Sequence, residues 1–216
     1  LVDLRARKQS EGTVRLRGSH VRRFSRTHPD PWQVTSGQVA EWLAGCRSPE
    51  YAKSVRSSLS GYFIWAIRND LTTYDPTVKV GTVKVPRPQA RPCPEPVYKA
   101  GLLRADPQVQ LMLLLMAQSG LRCMEVAHVH TRDLDGDRLL VTGKGGHARW
   151  VAVSPDAVAR LRQAEPGWMF PGRAGPMKPA TVGKKVARVL GDGGTAHTLR
   201  HRCGTTAYAG TSDLVA

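Results

Sequence analysis

The chain has 216 residues and carries 32 lysines and arginines against 17 aspartates and glutamates, a formal net charge of +15 at pH 7. This charge predicts a polyanionic partner, and nucleic acid is the leading candidate. The apolar runs exclude a membrane span, because the longest, residues 111–117, falls far short of the ~20 residues that cross a bilayer.

Residues 1–86 are predicted to form a small helical domain. The segment after Ser10 spaces apolar residues among arginines in the manner of an amphipathic helix with a cationic outer face. Residues 35–38 have the Thr-x-x-Gln pattern of a capping box, and the Ser-Pro pair at 48–49 is typical of a helix start. The basic side chains of these helices are predicted to contact nucleic acid, with a merely solvated helix face as an equal alternative: Arg22, Arg23, Lys53 and Arg56.

A proline-rich segment separates two positively charged regions. Residues 87–96 are too poor in backbone donors and too stiff for a helix or a central strand, which predicts a linker. Residues 1–86 hold 14 basic and 7 acidic groups, and residues 87–216 hold 18 and 10. Two cationic lobes on one chain favour a clamp around a duplex.

Residues 97–216 are predicted to form a second domain around a very apolar helix. That helix opens at residues 106–107, Asp-Pro, and is terminated by Gly120. Arg122 follows at the start of another helix, on which Glu125 lies one turn further on.

The last part of the chain contains a predicted hairpin and two predicted helices. β-Like runs at residues 139–142 and 149–154 flank the glycine-rich sequence GKGGHA, so Lys144 should stand at the tip of the hairpin. The helices are predicted near residues 179–190 and, after a glycine turn, over residues 197–209.

Four side chains from three of these elements have the chemistry of a phosphate clamp: Arg122, Lys144, His197 and Arg200. Arginine forks match the non-bridging oxygens of a phosphodiester, lysine can protonate a leaving oxygen, and histidine exchanges protons near neutral pH. Such a set can break a nucleic acid strand without a metal ion. Each residue also has a plain structural alternative, such as a buried ion pair for Arg122 or a solvated turn for Lys144.

Cysteine usage and the start of the sequence predict a cytoplasmic protein. No signal-peptide pattern opens the chain. The four cysteines are scattered without a CxxC pair, which is typical of reduced thiols: Cys46, Cys93, Cys123 and Cys203. The short cluster His197, His201 and Cys203 lacks a carboxylate or a second cysteine, so neither a metal site nor a cofactor is predicted.

Three segments resemble, in the expected order, the motifs of tyrosine recombinases of the phage integrase family. SGLRCMEV is similar to the arginine box, VTGKGGHARWVAV to the lysine hairpin and HTLRHRCGTTAYAGTSDL to the HxxR box. For residues 95–216 the resemblance rests on these three motifs. For residues 1–86 it rests on the pattern and position of the predicted helices. It implies a mainly α (α+β) fold, in which a helical core-type DNA-binding domain and a mostly helical catalytic domain with a small antiparallel sheet close as a C-shaped clamp on DNA.

The resemblance also implies roles for five residues. Arg122 and Arg200 would hold the scissile phosphate, Lys144 would protonate the departing 5′ oxygen, and His197 would assist proton transfer. Glu125 would support the arginines. Strand exchange would run through a 3′-phosphotyrosyl intermediate with no metal or other cofactor.

The nucleophilic tyrosine is expected to be missing from these 216 residues. In the family it lies some tens of residues after the HxxR box, and here only Tyr208, eight residues after Arg200, offers a poor substitute. We therefore expect a C-terminally incomplete catalytic domain that cannot cleave DNA by itself. The alternatives left open are a non-catalytic DNA-binding protein or accessory regulator of the same fold and, less favoured, a type IB topoisomerase.

The implied partner is double-stranded DNA at attachment-type or core recombination sites. A homotetramer on paired sites is expected, with accessory DNA-bending proteins as further partners, no membrane, and a location in the cytoplasm of a bacterial host, at the nucleoid. Integration of a viral genome is one implied process, and excision and resolution remain open alternatives. The second domain is expected to contact DNA through Arg149, Arg173, Lys184, Lys185 and Arg188. For the last three, an equal alternative is that they only complement the dipole at the end of their helix.

Overall fold

A computed structural model describes residues 1–86, 89–143 and 145–211, with side chains as far as Tyr208. The chain divides into two compact units, Leu1–Pro88 and Gln89–Ala216. Helices dominate both units, and the second adds a small antiparallel sheet. The predicted mainly α fold is confirmed. Among the described residues no helix is both long and apolar enough to cross a bilayer.

The first unit is built from helices whose starts carry local capping signals. They are α1 (Val2–Ala6), α2 (Glu11–Ser25), α3 (Ser36–Ala44) and α4 (Pro49–Arg68), with a 3-10 turn at Pro31–Gln33. The side chains of Ser10 and Ser48 each accept an amide hydrogen bond at 3.2 Å, and Thr35 and Gln38 form the predicted capping box. All three predicted helix starts are confirmed, whereas α1 was not predicted.

The core of this unit lies where α2 and α3 pack against α4. Its centre holds Phe24, Val39, Val55 and Leu59, each at most 2% exposed. Burying one such side chain stabilises the fold by about 1.5–3 kcal/mol, so the apolar spacing of these helices sets how they pack. The arginines therefore remain on the outer surface of α2.

Arg56 differs from the other predicted DNA contacts because its guanidinium is held by the protein. Its Nη2 donates to the carbonyl of Val80 at 2.8 Å and to that of Thr77 at 3.3 Å, which fixes the turn after α4. Half-buried Arg56 thus has a structural role in addition to the predicted phosphate contact, which stays a prediction.

Replacing Arg56 by alanine is expected to destabilise the chain by about 1–3 kcal/mol, because two partly buried carbonyls lose a charged donor. Lys53, exposed on the preceding turn of α4, is the matched control, and its alanine variant should stay within about 0.5 kcal/mol of the parent. Urea unfolding followed by tryptophan fluorescence measures both. Equal stability of the two variants would show that the Arg56 contacts contribute nothing.

The second unit alternates helices with short strands. Its helices are α5 (Glu95–Arg104), α6 (Pro107–Ala117), α7 (Cys123–Ala127), α8 (Pro155–Gln163), α9 (Pro179–Leu190) and α10 (Ala196–Thr211). One antiparallel sheet has the order β1 (Leu134–Asp135), β2 (Arg138–Thr142) and β3 (Ala148–Ala152), and β4 (Pro171–Gly172) pairs with β5 (Gly175–Pro176). The predicted α6, α7, β2–β3 hairpin, α9 and α10 are confirmed. Neither α5 nor α8 was predicted.

Helix α6 is the buried spine of this unit. Asp106 Oδ1 accepts the amide of Val109 at 2.8 Å and so caps the helix, and residues 111–117 are all buried. Helices α5, α8, α9 and α10 pack around α6. This packing brings the end of α6, the start of α7 and the first half of α10 to one place.

The end of the predicted linker belongs to the second unit. Helix α5 begins at Glu95, so residues 95–96 are helical, and buried Cys93 donates its amide to the carbonyl of Thr198 at 2.9 Å. Arg202 pairs with Glu95 and lies over the ring of Tyr98, 4.5 Å from its centroid. These contacts hold α10 against α5 and the residues that precede it.

Candidate active site around Glu125

Glu125 joins the start of α7 to the preceding turn. Gly120 takes a left-handed conformation with φ 63°, and two residues later Arg122 becomes the N-cap of α7. The Glu125 carboxylate accepts the Arg122 amide at 2.7 Å and its Nη1 at 3.2 Å. The predicted pairing of these two residues is what holds Arg122 at this turn.

Arg149 reaches the same carboxylate from strand β3. Its Nη1 and Nη2 donate to the two Glu125 oxygens at 2.8 and 3.1 Å, a bidentate ion pair. Gly143, at the base of the hairpin, lies close by, because a β-carbon there would stand 3.3 Å from Arg149 Nη1 and 3.5 Å from Glu125 Oε1. The strand that enters the hairpin turn therefore passes directly beside this pair.

Arg200 comes from α10, whose buried Leu199 belongs to the same core as α6. The Arg200 Nη1 donates to the carbonyl of Gly120 and lies 3.9 Å from Glu125 Oε2. Three arginines from a turn, a strand and a helix thus surround one carboxylate. We call Arg122, Arg149, Arg200 and Glu125 the arginine cluster.

The charges of the arginine cluster are unbalanced and partly open to solvent. The Glu125 side chain is 1% exposed, whereas those of Arg122, Arg149 and Arg200 are 54%, 41% and 29% exposed. Three guanidiniums share one carboxylate, so the cluster keeps a net positive charge that a phosphate can neutralise.

The pKa values of the cluster follow from burial and from these contacts. Burial opposes ionisation of Glu125, but hydrogen bonds from Arg149 and the Arg122 amide, with the Arg149 charge, bring its pKa below the ordinary value. The hydrogen bond with Glu125 raises the pKa of Arg149. Burial, and then the charge of Arg122, lowers the pKa of Arg200. An anionic ligand beside Arg200 would offset both its burial and the like charge of Arg122.

The structure distributes the other predicted site residues as follows. His197 lies one turn before Arg200 on α10, and its Nε2 contacts the Nε2 of His201 at 2.9 Å. Lys144 lies outside the described residues, directly after Gly143. The remaining predicted DNA contacts of both units are exposed, apart from half-buried Arg56 and Lys185: Arg22, Arg23, Lys53, Arg173, Lys184 and Arg188.

The tyrosines of the second unit stand away from the arginine cluster or are enclosed. Tyr208 follows Arg200 by eight residues on α10, which is about 12 Å along the helix axis. Tyr98 is buried, and burial raises the pKa of its phenol. Within the described part of the chain its hydroxyl finds no hydrogen-bond partner.

Known proteins with similar sequences include several that are named tyrosine recombinases. The tyrosine recombinase XerC of Xanthomonas campestris pv. campestris (strain B100) is 34% identical over 160 residues, which are 68% of this chain and 49% of that protein. XerC of Corynebacterium efficiens is 26% identical over 235 residues, with coverages of 95% and 75%. The chain belongs to the tyrosine recombinase family.

Two solved structures of phage integrases have a similar fold. A lambda integrase dimer bound to a COC′ core site matches with a TM-score of 0.80 over 97% of this chain and 68% of that one, at 19% identity. The integrase of mycobacterium phage Brujita is 28% identical, with a TM-score of 0.51 and coverages of 94% and 75%. Family models scanned against the sequence gave no match. The chain spans about half the length of the Xanthomonas XerC relatives that it matches.

Arg149 is the member of the arginine cluster whose contact with Glu125 was not predicted from the sequence. It was predicted to touch DNA, yet two of its donors are bound to Glu125. The signal was present, because Arg149 alternates with Val151 and Val153, which are half-buried and buried. An arginine at an inward-facing strand position indicates a buried carboxylate partner.

Proposed function

We propose that this chain is part of a site-specific DNA recombinase of the phage integrase type, which cleaves and rejoins strands through a 3′-phosphotyrosyl intermediate. The observation that carries the proposal is the arginine cluster, where three separate elements direct guanidiniums around one buried carboxylate. Similarity to proteins named tyrosine recombinases supports it. Assembly as a tetramer on paired sites, as in the lambda integrase tetramer bound to a Holliday junction, is part of the proposal.

In the proposed reaction the scissile phosphate lies against Arg122 and Arg200. Negative charge grows on the non-bridging oxygens as phosphorus becomes pentacoordinate, and two fixed guanidiniums stabilise that charge without reorganising. Glu125 orients both arginines, through its hydrogen bonds with Arg122 and its proximity to Arg200. Arg149 is a positioning residue, since its bidentate ion pair holds the Glu125 carboxylate in place.

Proton transfer is assigned to the two remaining predicted residues. Lys144 protonates the departing 5′ oxygen, and the position of neighbouring Gly143 beside Glu125 supports this role. His197 assists from the turn of α10 that precedes Arg200. A tyrosine phenol attacks phosphorus, forms the phosphotyrosyl bond and releases the 5′ hydroxyl, so the phosphodiester energy is kept for religation.

A suicide duplex with an attachment-type site tests the reaction. The product of the complete reading frame should form a covalent protein–DNA adduct that survives denaturant and is removed by protease. The 216-residue chain should bind the duplex without forming the adduct, because Tyr98 is buried and Tyr208 lies two turns beyond Arg200. Binding without any adduct by the complete product would favour a non-catalytic DNA-binding protein instead.

Duplex affinity of the 216-residue chain is expected to depend strongly on salt. If six or more phosphates are contacted, the binding constant should fall by roughly 10³-fold between 50 and 200 mM salt, because displaced counterions favour binding. Lys184→Ala, on the exposed face of α9, should reduce the slope of log K against log salt by about one.

Lys99→Ala is the control for this measurement, since Lys99 is exposed but already pairs with Glu95 at 3.6 Å. Its slope should equal that of the parent chain in fluorescence anisotropy titrations. A salt-independent binding constant for the parent, or equal slopes for all three proteins, would contradict the proposed DNA surface of α9.

A further inference from the structure

The two histidines of α10 face each other. His197 and His201 are four residues apart on the helix, so their side chains share one face. Their Nε2 atoms are 2.9 Å apart, and the ring planes meet at 78° with centroids separated by 4.3 Å. At this distance one ring donates its Nε2 proton to the other, and both nitrogens point to the same small region of space.

We infer that this pair is a binding site for one transition-metal ion. Metal–imidazole bonds of about 2.0–2.1 Å put two nitrogens about 2.9 Å apart at a right angle and about 3.4 Å apart at the tetrahedral angle. The observed separation already equals the right-angle value. A metal ion can therefore replace the shared proton with little side-chain movement, once both rings carry their proton on Nδ1.

The surroundings define what kind of ion this site accepts. Two imidazoles suit Cu²⁺, Ni²⁺ and Zn²⁺, with copper bound most tightly. The described residues contain no group of three or more potential metal ligands, so water or a phosphate oxygen completes the coordination. The neighbouring cation Arg202 pairs with Glu95, which weakens its repulsion of an incoming metal ion. The arginine cluster keeps its net positive charge, so a phosphate oxygen is favoured over water as a further ligand.

The consequence for activity rests on the proposed function. A nitrogen that is bonded to a metal cannot exchange a proton, so an ion on this pair withdraws His197 from proton transfer. The ion acts as a reversible inhibitor, and removing it restores the reaction. The binding itself depends only on the two rings, and it is measured without DNA.

Calorimetric titration of the untagged 216-residue chain with CuCl₂, NiCl₂ and ZnCl₂ measures the binding. One ion per chain is expected, with two nitrogen couplings in the electron paramagnetic resonance spectrum of bound Cu²⁺. His201→Gln should weaken binding by at least about tenfold, because even the loss of a hydrogen-bond partner of a ligand costs about 10–100-fold in metal affinity. The control is His128→Gln, an exposed histidine whose Nδ1 lies 2.8 Å from the Met124 carbonyl. Equal affinity of the parent chain and His201→Gln would overturn the site.

The effect on the reaction is measured with the product of the complete reading frame and a suicide duplex. Each protein is compared with its own metal-free rate. Micromolar Cu²⁺ should suppress adduct formation by the parent and by His128→Gln but far less by His201→Gln, and a chelator should restore it. An active recombinase that binds copper at the pair and keeps its rate would overturn the inhibition. Copper binding by a protein that forms no adduct under any condition would contradict the proposed function and leave the metal site standing.

Discussion

Replacing Arg200 by alanine is expected to lower the rate of DNA cleavage by roughly 10²–10³-fold, because it removes a fixed donor at the place where phosphorane charge develops. Arg200 is the least exposed arginine of the cluster, so its charge acts in a partly desolvated setting. Adduct formation by the product of the complete reading frame measures the effect. Duplex affinity should change little, since one phosphate contact among many is lost.

Two further variants separate catalysis from folding. Arg132→Ala removes an exposed arginine of the same unit and should leave the cleavage rate unchanged. Arg200→Lys keeps the charge but loses the planar fork that donates to Gly120, so its rate should fall between those of the parent and the alanine variant. A parent-like rate in Arg200→Ala contradicts its role at the phosphate. A cleavage loss that follows a large drop in the unfolding midpoint would instead make Arg200 a structural residue.

Local chemistry explains which elements the sequence predicted correctly. The starts of α2, α3, α4 and α6 each depend on a side-chain cap or an N-terminal proline within a few residues, so short segments suffice to predict them. Helix α5 depends on distant residues. It begins in a proline-rich sequence typical of a linker and is held by Arg202 over Tyr98 and by close packing of Gly101 against Leu190. Those contacts join residues about 90–100 positions apart, which no local pattern displays.

The candidate site likewise combines a contact between neighbouring residues, which the sequence predicts, with contacts between distant residues. Arg122 and Glu125 lie three residues apart at a helix start, and their spacing alone predicts the pair. The contact of Glu125 with Arg149 crosses from helix to strand, and that with Arg200 spans 75 positions. The resemblance to the family implied that Arg122 and Arg200 meet at one phosphate. The strand pattern indicates some carboxylate partner for Arg149, but only the coordinates identify it as Glu125. The role of Lys144 stays a prediction.

Replacing Glu125 by glutamine is expected to destabilise the chain by about 3 kcal/mol at neutral pH, because three arginines lose the carboxylate that they share. The substitution keeps the size of the side chain, so the loss reports charge and hydrogen bonding and not a cavity. Cleavage should fall as well, since Arg122 and Arg200 are no longer oriented. Urea unfolding and adduct formation measure the two effects, and Glu165→Gln, at an exposed carboxylate of the same unit, should change neither.

The pH dependence of this stability difference identifies its cause. The contacts of the folded state hold the pKa of Glu125 below its ordinary value of 4.5, so the folded protein binds the proton less readily than the unfolded chain. Its stabilising contribution is therefore fully present above pH 4.5 and is lost as the pH falls through the lower folded value. The gap between the parent and Glu125→Gln should be constant from pH 5 to 8 and should shrink below pH 4.5. A gap that persists unchanged in acid would mean that the glutamine disturbs packing, and that the ion pairs of the arginine cluster do not hold it together.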